Sequence, residues 1–439
     1  MAGSVFKRCT KCGVRVAERR CLKCGTDRPR WSFTVDVGKD LRGRRKQISR
    51  SGFETKKEAE RAARELLTTL DQRRYVEPSR LTFEEYLTLH WLPSRKPKQR
   101  QAGRRHRGQV SLGTWASYRT DLQAHVIPRI GKVVLQDLTP EHLNKLYDDL
   151  EERGGRKGTG LAAKTVVNIH GIVHKALKDA VKKGFLPRNV ADAVDAPRAS
   201  RTKTQVWTVE QLRAFLRHVE SERLYAGWLL LATTGMRRGE VAGLSWTDLD
   251  LETGKVRVEW TLGVVDAKAT WKRRAKSDAG ERVMSLDPAT VDALRAYRDL
   301  QADERRLLGA AWQCRQVDWQ GDFRDDLVFT WPDGSLIYPQ RWSTWFSQFC
   351  EGAGLPVIRL HDVRHTYATA ALANASGWHD IKVISERLGH ASMGITLDTY
   401  AHVLPSADEE AAHSLASVIL GEHSVSSATS QEVAGKDGS

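Results

Sequence analysis

The segment RLHDVRHTYATAALANASGWHDIKVISERLGHASMGITLDTYAHV, residues 359–403, sets several phosphate-reactive side chains at short, fixed spacings. His361 and Arg364 are three residues apart, so on a helix they share one face and converge on one ligand. Leu388-Gly389-His390 follows, with a glycine able to end a helix, and then Thr396-Leu397-Asp398-Thr399-Tyr400. A permanently charged guanidinium that forks onto two oxygens, beside an imidazole that trades a proton near neutral pH, suits a phosphate group. Tyr400 adds a nucleophilic oxygen.

A lone tyrosine or arginine is by default a half-buried packing residue or a salt-bridged one. One sharper rival exists, because His361-Asp362-Val363-Arg364-His365 also sets two histidines at i and i+4, half of a helical zinc-protease motif. That motif needs Glu rather than Asp after the first histidine, and a third ligand besides. It also leaves Arg364, Arg237 and Tyr400 without roles.

The run resembles the carboxy-terminal signature of the tyrosine recombinases, the phage-type integrase family: His-x-x-Arg, then Leu-Gly-His, then a tyrosine about ten residues on. Here these are His361/Arg364, His390 and Tyr400, and far upstream Thr234-Gly235-Met236-Arg237-Arg238-Gly239-Glu240 resembles the family's first arginine box. The resemblance implies a site-specific DNA recombinase that integrates or excises a phage or mobile element. In such an enzyme Tyr400 attacks the scissile phosphate, becomes joined to the 3′ phosphate and frees a 5′ hydroxyl. Arg237 and Arg364 hold the non-bridging oxygens, His390 donates a hydrogen bond to them, and His361 assists proton transfer at Tyr400. Lys276 protonates the leaving oxygen, with Lys268 and Lys272 as rivals, and Glu240 orients the cluster from behind. Covalent storage of the phosphodiester requires no ATP, and two guanidiniums take the place of catalytic metal ions, so no catalytic cofactor is expected. The implied partners are double-stranded attachment-site DNA, three further copies in a homotetramer, and directionality and DNA-bending factors. A type IB topoisomerase and a catalytically silent DNA-binding regulator are the alternatives.

Composition agrees with a polyanionic partner: 439 residues carry a formal net charge of +16. The length exceeds what one core supports, so two to four domains are expected. No apolar run approaches membrane-spanning length and the basic amino terminus has no signal-peptide core, which points to the cytoplasm of a bacterial host, on its nucleoid.

The expected organisation is multidomain and mainly α with small β-sheets. Residues 1–28 hold two Cys-x-x-Cys-Gly knuckles, and Cys9, Cys12, Cys21 and Cys24 have the pairing that a structural zinc ribbon requires. Cys314 and Cys350 stand alone and read as buried thiols. Residues 29–78 read as a small α+β domain. Trp31, Phe33, Val35 and Val37 alternate on one strand face, a basic turn follows, and a helix begins at Lys56. Its size and position resemble an arm-type DNA-binding domain, in which Arg42, Arg44, Arg45 and Lys46 track phosphates.

Residues 79–196 form a helical block that resembles the family's SAM-like core-binding domain, opened by a Thr82/Glu85 capping box. The basic linker after it, including Arg201 and Lys203, is expected to contact DNA. Residues 197–421 are the expected mixed α/β catalytic domain. In it the apolar helix through Trp228-Leu229-Leu230-Leu231-Ala232 ends at Gly235 and delivers Arg237 from a rigid element. Residues 407–420 read as a terminal helix, 422–439 as a disordered tail, and 309–325 match no feature of the family.

Overall fold

The computed structural model describes residues 3–400 except 18–19, 26–28, 40–42, 73–74, 98–109, 156–157, 199–204, 274–280, 319–320, 376 and 391, and in addition Ile419. Helices predominate, with four small antiparallel sheets among the described residues. The chain divides into two compact units, Met1–Arg201 and Thr202–Ser439.

In the first unit, strands β1 (Gly3–Arg8), β2 (Arg15–Val16), β3 (Arg30–Lys39) and β4 (Arg45–Phe53) form one sheet in the order β2-β1-β3-β4. Phe33 and Val35 are fully buried against Ala63 and Leu66 of the helix Lys56–Asp71, as the strand alternation predicts. Each such side chain contributes about 1.5–3 kcal/mol by leaving water. The helix starts at a reciprocal Thr55/Glu58 capping box.

One expectation is corrected here. β1 pairs with β3 from Gly3↔Val35 to Arg8↔Arg30, so hydrogen bonds cross the boundary placed at residue 28. The knuckles therefore belong to this sheet, Cys9 and Cys12 between β1 and β2 and Cys21 and Cys24 between β2 and β3. The strand escapes a reading of periodicity because it is short and closes on the basic Lys7-Arg8 pair.

The helices that follow enclose a second core, built on Tyr86, Leu87, Trp91, Leu122, Leu143, Ile169 and Val173. Thr82 and Glu85 cap the first of them reciprocally. π-helical turns at Tyr86–Trp91 and Leu122–Val126 each run directly into a proline-bearing turn, Leu92–Arg95 and Ile127–Ile130. Pro93 and Pro128 lack the N–H that a regular ladder needs, and the wider turn absorbs the defect without breaking the helix.

The second unit opens with the helix Val209–His218 behind a Thr208/Gln211 capping box. The next helix, Tyr225–Thr234, is buried on nearly every side and ends at Gly235 in the left-handed conformation, φ 63°. Strands β5 (Leu249–Asp250), β6 (Lys255–Val258) and β9 (Arg282–Ser285) make a three-stranded sheet. β7 (Trp260–Val265) and β8 (Lys268–Arg273) form a hairpin. After the helix Pro288–Leu308, β10 (Arg315–Val317) pairs antiparallel with β11 (Phe323–Asp325). Cys314 leads into β10 and is exposed, contrary to the sequence expectation, because the segment lies outside the core. Cys350 is buried, and loss of water pushes its thiol up to about 12. Helices Pro339–Gly352, Leu360–Ala373, Trp378–Leu388 and Met393–Tyr400 follow; the expected terminal helix 407–420, Ile419 apart, and the tail 422–439 lie outside the described residues.

Candidate active site

Four chain segments meet around one buried carboxylate. Gly235 turns the chain out of its apolar helix, and its missing side chain matters, since a Cβ there would lie 2.6 Å from Tyr367 Cδ1. Two residues on, Arg237 stands at the start of the short helix Arg238–Ala242. Glu240 in that helix accepts from the Arg237 backbone N–H and from Arg237 Nη1, both at 2.9 Å. On its other side it accepts from Arg282 Nη2 at 2.9 Å. The Glu240 side chain is 0% exposed and that of Arg282 6%, so this ion pair is sealed from water.

Arg364, on the helix Leu360–Ala373, donates from Nη1 to Gly235 O at 2.7 Å and from Nη2 to Leu388 O. Both acceptors are carbonyls at helix ends, where unpaired C=O groups concentrate negative partial charge. Burial, and then the neighbouring Arg237, pull the Arg364 pKa down to about 9, which leaves it charged at neutral pH. Three guanidiniums thus share one carboxylate, because Asp362 is occupied by Arg359 at 2.8 Å. A surplus of fixed positive charge at a partly buried site binds anions.

Gly389, at φ 63°, ends the helix Trp378–Leu388 and turns His390 into the cluster. His390 Nδ1 lies 2.7 Å from Thr396 Oγ1, and Arg237 Nη2 donates to Gly389 O at 3.4 Å. Burial, followed by the charges of Arg364 and Arg237, lowers the His390 pKa to about 4. His361 keeps part of its ring in water, yet the protein on its remaining sides, then His365, Arg364 and Arg237, bring it down to about 4 as well. Tyr400 closes the site from the helix Met393–Tyr400, only 3% exposed, and burial pushes its phenol up to about 12.

Arg237, Glu240, His361, Arg364, His390 and Tyr400, singled out in the sequence, therefore belong to one neighbourhood. Two further members do not follow from the motifs. Arg282 occupies an inward position of β9, in register with buried Met284, and an arginine on the apolar face of a strand is the signal that could have found it. His365 carries the hydrogen bond to the phenol, Nδ1 to Tyr400 Oη at 2.5 Å, a place the sequence assigned to His361. His361 instead meets His365 edge-on, with ring centroids 5.2 Å apart.

Lys276 lies outside the described residues, and its rivals Lys268 and Lys272 are exposed on β8. Arg42, Arg201 and Lys203 also fall outside them. Of the remaining basic residues named for the amino-terminal sheet, Arg45 is paired with Asp36, and Lys46 Nζ is 3.2 Å from Glu77 Oε2.

In the first unit, the sulfurs of Cys9, Cys12, Cys21 and Cys24 all lie within 4.8 Å of one another. Cys9 and Cys24 are 3.3 Å apart and Cys12 and Cys21 3.4 Å. Zinc–sulfur bonds of about 2.3 Å give a tetrahedron with edges near 3.8 Å, so the donor set fits that ion. Backbone N–H groups of Cys12 and Lys11 point at Cys9 Sγ and favour its thiolate, lowering the pKa to about 6.

Residues 205–407 match the phage integrase family, residues 18–70 an arm DNA-binding domain, and residues 104–150 a SAM-like amino-terminal domain of phage integrases. The chain carries a phage integrase family domain. Its relatives include a XerC-like tyrosine recombinase of Caldanaerobacter subterraneus subsp. tengcongensis, 25% identical over 407 residues that cover 88% of this chain and 95% of the relative. The ICEBs1 integrase of Bacillus subtilis is 26% identical over 299 residues, covering 67% and 75%. The fold is similar to that of the Tn1549 transposon integrase solved in complex with a circular intermediate DNA, at TM-score 0.58 and 20% identity over 71% of this chain and 96% of that one. Phage integrase family members of this type are tyrosine recombinases, enzymes that cleave and rejoin DNA. Among the described residues no helix is long and apolar enough to cross a membrane.

Proposed function

We propose that this enzyme is the integrase of a phage or integrative element, cutting and rejoining attachment-site DNA through a phosphotyrosine at Tyr400. The observation that carries the reading is the arrangement of Arg237, Arg282 and Arg364 around the single carboxylate of Glu240, with the Tyr400 phenol in the same neighbourhood.

A phosphodiester carries one negative charge, and more accumulates on its non-bridging oxygens as a fifth oxygen approaches phosphorus. Arg237 and Arg364 neutralise that charge, and the backbone carbonyls and Glu240 that hold them prevent any reorganisation at the moment of reaction. His390 adds a hydrogen bond to the same oxygens. The Tyr400 oxygen bonds to phosphorus in line with the departing 5′ oxygen. The P–O5′ bond breaks, the tyrosine keeps the 3′ phosphate, and Lys276 supplies a proton to the 5′ oxygen. Attack by a 5′ hydroxyl from a second duplex reverses these steps and joins new strands. Arg282 positions Glu240 and through it Arg237.

The amino-terminal sheet, held at one edge by zinc on Cys9, Cys12, Cys21 and Cys24, would grip a second DNA site, with Arg42, Arg44, Arg45 and Lys46 on phosphates. There the metal's chemistry is structural, because four thiolates leave no coordination position open. Four protomers would assemble on two duplexes, with directionality and DNA-bending factors selecting integration or excision.

A strand-transfer assay tests this against a type IB topoisomerase and a silent regulator. Two duplexes spanning the element's junctions with flanking DNA should yield a four-way junction and recombinant products with the wild type, and none with Tyr400→Phe. Relaxation of supercoils without strand exchange favours the topoisomerase reading, and sequence-specific binding without cleavage favours the regulator.

A further inference from the structure

The hydroxyl of Tyr400 faces a problem of acidity. A free phenol titrates near 10, and burial raises this one to about 12, so at pH 7 about one molecule in 10⁵ carries phenolate. An attacking phenol of that kind needs a proton acceptor in contact with it at the moment the O–P bond forms.

Only one imidazole among the described residues is hydrogen-bonded to that oxygen, and it is His365, Nδ1 to Oη at 2.5 Å. The geometry is local to a single chain: His365 is one turn beyond His361 on the helix Leu360–Ala373, and Tyr400 ends the helix Met393–Tyr400 packed beside it. The rings of His365 and Tyr400 also pack, with centroids 5.6 Å apart. Adjacent positions on one helix therefore divide the labour, Arg364 serving the phosphate and His365 the nucleophile.

We propose that His365 is the proton acceptor for Tyr400, acting in cis: as the Tyr400 oxygen bonds to phosphorus, its proton passes to His365 Nδ1. The imidazolium so formed returns the same proton to the tyrosine oxygen when a 5′ hydroxyl displaces it, so a full cycle consumes none at this position. The 5′ oxygen draws its proton from a separate acid. This rests on the phosphotyrosine reading above and names the group that makes it work at neutral pH.

The surroundings keep His365 ready for that role. Burial, together with Arg364 and Arg359, holds its pKa below the usual histidine range, and Asp362 partly offsets them. The other titratable groups that face it are His361 on its own helix, Tyr400, and His390 from the Leu-Gly-His turn, with Arg237, Glu240 and Arg282 behind Arg364. At neutral pH it is uncharged and, with its proton on Nε2, presents a lone pair at Nδ1. A histidine that only buttressed the phenol would serve as well if replaced by another hydrogen-bonding group of similar reach, and that difference can be measured.

Single-turnover cleavage of a nicked duplex spanning an element junction, followed as covalent protein–DNA adduct between pH 5.5 and 9, separates the two roles. His365→Asn keeps an acceptor near the Nδ1 position but cannot take up a proton. The expected result is a fall of about 10²–10⁴-fold in rate with DNA affinity unchanged, loss of the wild-type decline at acid pH, and partial recovery of His365→Ala by added imidazole. His365→Asn cleaving within threefold of wild type, or losing rate with the pH profile unchanged and no imidazole recovery, overturns the proposal. Tyr400→Phe run in parallel reports on the reading beneath it. If that variant still forms adduct, or the wild type forms none, the nucleophile assignment fails whatever His365 does.

Discussion

Arg282 Nη2 and Glu240 Oε2 are 2.9 Å apart in a region closed to water, and the other carboxylate oxygen of Glu240 receives Arg237 Nη1 at the same distance. This single acid fixes the arginine expected to grip the phosphate, from a position with no access to substrate. Removing one partner of a buried pair leaves the other charge uncompensated, at a cost of about 3–5 kcal/mol. Glu240→Ala should lose stability of that order in urea unfolding, and cleavage should fall with it. A loss under about 1 kcal/mol would mean that the guanidiniums are held by something else.

Gly235→Ala should also be destabilising, for a backbone reason. The residue sits at φ 63°, and the added methyl would come to 2.6 Å from the Tyr367 ring. Strain of this kind costs about 1–3 kcal/mol. A lowered unfolding midpoint is the readout, with slower cleavage as Arg237 and Arg364, which donates to Gly235 O, lose their alignment. An unchanged midpoint would contradict the geometry.

Stability should fall on the acid side of neutrality. His361 and His390 have folded pKa values lowered to about 4, whereas in the unfolded chain they titrate near 6.5. Between those values the unfolded state binds more protons, so their contribution is complete above about pH 6.5 and is lost progressively as pH falls toward 4. Melting curves at pH 7 and pH 5 should differ, and His390→Gln should reduce the difference. A bound phosphodiester favours the protonated ring, so core-site DNA should tighten its hold as pH falls. A midpoint that rises on acidification would refute the assignment.

For the cysteine cluster, the expected result is one zinc per chain by elemental analysis. Cys12→Ser or prolonged chelation should release it and lower the stability of the amino-terminal sheet, to which the knuckles are joined through β1 and β2. Adduct formation at Tyr400 on a core-site duplex should survive chelation. Purified protein with four reduced thiols and no metal would exclude the structural-zinc reading.

How much of this was legible beforehand follows from the kind of signal each residue leaves. His361, Arg364, His390 and Tyr400 lie within forty residues at spacings set by helix geometry, and Gly235 and Gly389 mark the helix ends that turn Arg237 and His390 inward. The capping boxes at Thr82 and Thr208 fixed helix starts because their partners are three residues away. Arg282 left one local trace, an arginine in line with Met284 on the apolar face of a strand, but its role did not show, since its partner Glu240 is a long-range contact that only the assembled fold creates. His365 was visible, but its spacing from His361 suggested a metal pair, and nothing local could tell that Tyr400 would reach it. β1 was missed for the same reason, as its pairing with β3 spans the cysteine knuckles.

On the proposed mechanism one phenol, that of Tyr400, makes the bond to DNA. Trapping with a nicked suicide duplex, followed by proteolysis and mass spectrometry of the DNA-linked peptide, tests it most directly. The expected result is a single adduct on the peptide containing Tyr400, joined to a 3′ phosphate and absent from Tyr400→Phe. An adduct on any other residue, or one that persists in Tyr400→Phe, would contradict it.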